Sequence, residues 1–336
     1  MNVYYNGNGP AWGKGKRGQK LTAFPLQKTF LWEDQEIYLP AIYARTSGVI
    51  LDVCTKVPLE KMHHFLKKWP KKRRLSINGL EDFEKIEADN PCSIDFSADM
   101  RLDNKLLKNT VRSSLIWHPD EILRMEKEIM QTEWNNDSSA DQMMETYKLD
   151  PSFCWHFCRL VFAWNDKPVL PFQKISLTFH EEPVPVTAAH FSTTPVCRED
   201  SVTVIHPQTR QTYVLTLHEL CQTALDFDFG EKNMDYPKLF QTLSYSISPE
   251  TDLNSISILD CAKSDPPKKL RNASASGNTS AIAVSPISAA GTDPVPKRLS
   301  ACSSCHFKPV ETIEWRVVFQ IKKREDITLN FELHDR

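Results

Sequence analysis

The sequence lacks any run of about 18 apolar residues, so no segment reads as a membrane-spanning helix. It lacks a dominant charge sign. Forty-one cations against 43 carboxylates leave a net charge of −2, which gives no general pull toward nucleic acid or an anionic membrane. It has little glycine: five of its ten glycines, Gly7, Gly9, Gly13, Gly15 and Gly18, crowd the first stretch. That stretch also lacks an apolar h-region, so it does not read as a secretory signal. A cytoplasmic location is the expectation. The nine cysteines are an odd number and fit a complete disulfide framework poorly. They are expected to be reduced and mostly buried, as small hydrophobes.

Catalytic signatures are missing too. Gly13-Lys14-Gly15-Lys16-Arg17-Gly18 has the spacing of a phosphate-binding loop, but no strand precedes it and no helix follows. Asp228-Phe229-Gly230 matches a kinase triplet without the catalytic loop that should stand upstream. No nucleophile elbow occurs. Asp226 and Asp228 hint at a calcium loop, but its glycine falls one place early and Pro237 stands where the bidentate Glu belongs.

What is present is β-pattern. Val202–His206 and Gln211–His218 flank Pro207-Gln208-Thr209-Arg210, a hairpin signal around which the rest of the sheet is expected to gather. Thr29–Trp32, Glu36–Ala44 and Gly48–Lys56 are joined by connections short enough to permit only antiparallel neighbours. Pro58 opens a helix with Leu59, Met62, Leu66 and Trp69 on one stripe, and Pro70 ends it. Ile94 to Leu102 alternates, turns at Asp103-Asn104-Lys105 and returns through Trp117. Asp120 and Glu121 start a helix where its dipole favours acid, with Ile122, Met125 and Ile129 inward. Ser139 and Gln142 resemble a capping box for a shorter one. Beyond 151 the pattern is nearly all β. Its clearest strand is Ile313, Trp315, Val317, Phe319 and Ile321, followed by a turn into Ile327–Phe331.

These readings predict an α+β fold dominated by antiparallel sheet. Residues 1–26 form a flexible segment, 27–118 a small N-terminal sheet with one helix, and 119–150 a helical connector. Residues 151–336 form a C-terminal β-sandwich or open barrel. Residues 263–300 hold no aromatic side chain. Such a stretch buries too little apolar surface to offset its ordering entropy, so a disordered loop is expected there.

Three side-chain groups invite chemistry. Cys302-Ser303-Ser304-Cys305-His306 fits a haem-attachment pattern, but haem would need export and a helical pocket. Zinc is the better metal reading: Cys302, Cys305 and His306 would join Cys154, His156 and Cys158, although structural sites usually pair two close-spaced ligand couples. The bland reading is buried core, and no cofactor is expected. Lys67, Lys68, Lys71, Lys72, Arg73 and Arg74 surround Trp69 and could grip phosphates. The bland reading is a solvated helix end, where cations are favoured. His206 and His218 read as surface histidines at strand ends. The leading expectation is a non-catalytic protein that binds another protein. The alternatives are a zinc or redox protein, a nucleic-acid binder and an enzyme without a recognisable motif.

Overall fold

The structure is a computed structural model that describes residues 4–5, 19–20, 22–45, 48–70, 73–74, 79–103, 105–130, 136–163, 173–194, 200–226, 234–250, 255–269 and 298–332. The glycine-rich motif at 13–18, the Asp228 triplet and residues 270–297 of the expected loop lie outside them. The chain forms two compact units. Unit 1 is Met1–Ile77, Ile86–Glu182 and Lys322–Arg336, and unit 2 is Asn78–Lys85 and Pro183–Ile321.

Unit 1 opens with a two-residue pair, β1 (Tyr4–Tyr5) on β2 (Gln19–Lys20). The expected meander follows as β3 (Thr22–Trp32), β4 (Gln35–Arg45) and β5 (Gly48–Val57), all antiparallel. Residues 22–26, expected within the flexible segment, belong to β3, where Leu26 is buried. Helix α1 (Leu59–Lys68) starts after Pro58, and α2 (Leu80–Asp89), which belongs to unit 2 up to Lys85 and to unit 1 from Ile86, has no counterpart in the pattern reading. The hairpin β6 (Phe96–Leu102) and β7 (Lys105–Trp117) leads to α3 (Asp120–Met130) and α4 (Ser138–Tyr147). The cap of α4 is Asp137, whose carboxylate accepts from the Ser139 amide at 2.7 Å, not the Ser139 box. Then come β8 (Cys154–Ala163) and β9 (Lys174–Glu181).

The small N-terminal sheet is a correction. Eight strands join in the order β19-β9-β6-β7-β8-β5-β4-β3, where β19 (Ile327–Glu332) arrives after the whole of unit 2 has been traced. Strands β8, β9 and β19 were expected in the C-terminal domain. The hairpin expected between Ile313–Ile321 and Ile327–Phe331 does not form, because β19 pairs with β9 from Ile327↔Phe179 to Glu332↔Lys174. A carboxylate fixes that crossing: Glu181 accepts from the Lys323 and Arg324 amides and from the Arg324 guanidinium.

Strands β5 and β8 are buried on both faces, which is why they read as near-continuous apolar runs. One face packs into a single cluster that includes Leu39, Leu51, Phe96, Leu160 and Phe179. Trp32 and Phe30, from one end of the sheet, meet Phe179, near the other end, at ring distances of 6.0 and 5.8 Å. The sheet therefore curls around its core. Its ends are joined by Trp32 Nε1 donating to the Glu325 carbonyl at 2.7 Å, and among the described residues β3 and β19 are not paired. At the end of the same face, Met62, Phe65, Ile86 and Ile122 cluster with Val57 and Cys154, and on the other face Ala140, Met143 and Met144 pack on Cys54, Trp155 and Phe157. Helices α3 and α4 thus pack on opposite faces of the unit 1 sheet and are not a connector, since an amphipathic helix must bury its stripe against something.

Unit 2 contains two sheets. One has the order β10-β18-β15, from Val184–Thr193, Ile313–Ile321 and Ile256–Asp260. The other is β11-β12-β14-β17, from Asp200–Ile205, Thr212–Ala224, Leu239–Ser248 and Leu299–Cys302. A short pair, β13 (Met234–Asp235) on β16 (Lys268–Lys269), stands apart. Leu215, Tyr245 and Ile247 of one sheet and Ile258, Trp315 and Phe319 of the other share one core. The hairpin of β11 and β12 forms as expected, with Ile205 opposite Thr212. It is not the centre of the molecule, however, because β11 is an edge strand. The two ends of the expected loop, at Lys268–Lys269 and Leu299–Cys302, are strand.

Candidate binding cleft

Helix α2 sets one wall of the site. Its first turn carries Glu81 and Asp82, where the helix dipole favours acid. In the first half of the helix Glu81 and Glu84 face the sheet of β10 and β18, while Leu80 is 60% exposed and Phe83 51% exposed. The reason lies in Arg316 of β18, which is 2% exposed and must be compensated there. Glu84 grips it with both oxygens, Oε1 at 2.9 Å from Nη2, and Nη1 also donates to Thr187 Oγ1 at 3.1 Å. Arg316 is held above its usual pKa, first by the Glu84 hydrogen bonds. Glu81 bridges Lys85 at 2.7 Å and His190 at 3.0 Å. Burial works against its charge, but the hydrogen bonds of Lys85 and His190 outweigh it and hold the carboxyl low.

The facing wall is the segment after β15, stitched to the segment after β17. Asp260 accepts from the Ala262 amide at 2.8 Å and the Ser304 amide at 2.7 Å. The Cys305 amide donates to Ser264 Oγ at 3.0 Å, and the Asp265 amide to the Cys305 carbonyl at 2.9 Å. Asp265 accepts from the Phe307 amide at 2.9 Å and faces His306 at 3.4 Å, and it is held low mainly by that amide. Between the walls lies a cleft of about 800 Å³, lined by Leu80, Glu81, Asp82, Tyr236, Pro237, Asp260 to Pro267, Cys305 and Arg316. Every one of these residues belongs to unit 2.

The cysteine motif is therefore a wall segment. Cys305 is buried, Cys302 is half-buried beside Thr242, and His306 faces Asp265. Cys154 and Cys158 lie in β8 of unit 1, buried on the face that carries Leu160. Burial pushes the Cys154 thiol up to about 12 and the Cys158 thiol up to about 11. Among the described residues, no group of three or more His, Cys, Asp or Glu is arranged to hold a metal ion.

Of the basic run, Lys71 and Lys72 lie outside the described residues. The rest dresses an aromatic. Trp69 is buried, with its indole N–H on Asp89 at 2.6 Å; Lys68 pairs with Asp89 at 2.7 Å, and the Arg73 guanidinium lies 4.4 Å from the Trp69 ring. Lys67 is exposed, and Arg74 lies 5.6 Å from the Phe65 ring. Arg73→Ala should cost about 0.5–1 kcal/mol in urea denaturation, the scale of a surface cation–π contact. Tight, salt-sensitive RNA or DNA binding that is lost in Arg73→Ala would instead favour the phosphate reading.

His206 and His218 are structural. His206 Nδ1 accepts from the Gln208 and Thr209 amides, and its ring packs on Phe319 at 4.6 Å. His218 Nε2 meets Ser246 Oγ at 3.0 Å. The pattern reading passed over α2, the element that builds the cleft. Its signal was Leu80, Phe83 and Ile86 at helical spacing behind an acidic first turn. No family model matches the sequence, and no curated protein and no solved structure matches it.

Proposed function

We propose that the chain is a non-catalytic protein-interaction protein whose unit 2, a β-sandwich, receives a segment of another protein in its cleft. The observation that carries this reading is the exposed apolar pair on the first half of α2. Leu80 stands at the cleft lip and Phe83 one turn on, both exposed, while two glutamates of the same helix point inward. Large apolar side chains left in water beside a concavity are what a docking partner covers. Catalysis is less well supported, because Glu81, Asp260, Asp265 and Arg316 are each committed to protein partners. A free acid or base poised for proton transfer is not among these four. All eight cysteines among the described residues are free thiols, which suits a reducing compartment and a cytoplasmic location.

The test uses a displayed random peptide library panned against the full chain. Enriched peptides should bind Leu80→Asp/Phe83→Asp at least about tenfold more weakly than wild type by fluorescence anisotropy, with the circular dichroism spectrum unchanged. Enrichment only of peptides indifferent to the double substitution would overturn the reading.

A further inference from the structure

We propose that the cleft selects a cationic segment, an extended peptide carrying lysine or arginine next to an apolar residue. This rests on the protein-interaction reading and adds the chemistry of the partner. A second hollow of about 350 Å³ adjoins the first and shares Asp260, Cys261 and Ala262 with it, so one extended chain can cross from one to the other over Cys261.

The charge along that track is negative. Glu81, Asp82, Asp260, Asp265 and Glu314 line the two hollows, against Lys263, Arg316 and His306. The charge of Arg316 is already met by Glu84 and that of Glu81 by Lys85, which leaves Asp82, Asp260, Asp265 and Glu314 against Lys263 and His306. Asp260 is held by two backbone amides, which are neutral dipoles and leave its full charge in the cleft. A phosphate backbone would be repelled from such a lining, and a Lys or Arg side chain drawn to it. A small cation alone would leave the apolar part of the lip uncovered, at Leu80, Pro237, Pro266 and Pro267.

Short peptides alternating Arg or Lys with Leu are compared on the full chain with versions carrying Gln or Glu at the basic positions. The cationic peptide should bind about tenfold or more tighter than either version and weaken as salt rises from about 0.05 M to about 0.5 M. Asp82→Lys should weaken it several-fold with the circular dichroism spectrum unchanged, its Tm lowered only by the lost dipole contact. Bound peptide should also slow alkylation of Cys261 by iodoacetamide, while Cys221, exposed on β12 away from the cleft lining, reacts as before.

The outcomes separate the two readings. Protection of Cys261 by all three peptides alike, or best by the Glu version, overturns the charge assignment and leaves the interaction reading standing. Failure of all three to bind, or binding that leaves Cys261 unprotected and survives Leu80→Asp/Phe83→Asp, overturns both.

Discussion

Acidification from pH 6.5 to pH 4 should strip unit 1 of much of its stability, and two buried histidines are the cause. His156 is 4% exposed on β8, and among the described residues its Nδ1 has no hydrogen-bond partner. Burial, reinforced by the Arg112 charge, pushes its pKa down from 6.5 to about 4. His118, after β7, is pushed to about 4 as well, by burial and then by Arg74. In this window the unfolded chain takes up protons that the folded chain refuses. Their stabilisation is therefore fully present above pH 6.5 and lost progressively as the pH falls through 4. A shift of this size corresponds to about 3 kcal/mol for each histidine, against a total domain stability of about 5–15 kcal/mol.

Urea denaturation at pH 7.5, 6, 5 and 4 measures the loss directly. His156→Leu, which cannot be protonated, should flatten the curve by about half between pH 6.5 and 4. His156→Asn, also without a titrating proton there, should do the same if the effect is charge rather than packing. A wild-type pH profile in both variants would show that the imidazole is not the titrating group. The carboxylates held low by partners, Asp34 by Lys61 first and Asp326 by His180 first, act in the same direction but below their usual 3.8. They do not blur the histidine window.

The local grammar of the fold was legible where apolar and polar residue types alternate. Ile313, Trp315, Val317, Phe319 and Ile321 alternate with Glu314, Arg316 and Gln320, so β18 is plain from residue type, although Arg316 and Val318 of its second face are buried as well. Pro58 and Pro70 bracket α1 because neither can donate inside a helix. Long-range pairing was not legible. Nothing in Ile327–Glu332 says whether its partner is the preceding strand or β9, since both satisfy its alternation. That choice moves β19 between units and, together with β8 and β9, makes the small sheet eight curled strands. Strand β10 went unseen because Val184–Thr193 is half-buried almost throughout and gives no two-sided contrast. The cleft was hidden for a related reason. Glu84 lies on a helix that the pattern reading does not find, and its partner Arg316 is 232 positions away, inside a strand.

Asp52→Ala should be among the most damaging single substitutions in the chain, because it strands a buried charge. Asp52 of β5 and Arg159 of β8 are directly opposed in the ladder and only 0% and 1% exposed. The guanidinium makes two bonds to the carboxylate, Nε to Oδ1 and Nη2 to Oδ2, both at 2.7 Å. Tyr147, at the end of α4, donates its hydroxyl to Asp52 Oδ2 at 2.6 Å and so accepts from Tyr43, 2.8 Å away. One carboxylate thus ties two central strands to the helix that covers them. Burial, with the Asp52 charge, pushes Tyr43 up to about 12, so both phenols stay protonated as donors. Removing the carboxylate leaves Arg159 charged in a dry interior and Tyr147 without its acceptor, at a cost of about 3–5 kcal/mol. Replacing both partners with apolar groups, Asp52→Leu with Arg159→Met, removes the stranded charge and should recover most of that loss. Guanidinium chloride denaturation of the two variants gives the comparison. A loss below about 1 kcal/mol in Asp52→Ala would mean that Arg159 reaches water. A double variant no more stable than Asp52→Ala would mean that the pair positions α4, and that it is the lost Tyr147 bond, not the loss of the carboxylate beside Arg159, that the single substitution exposes.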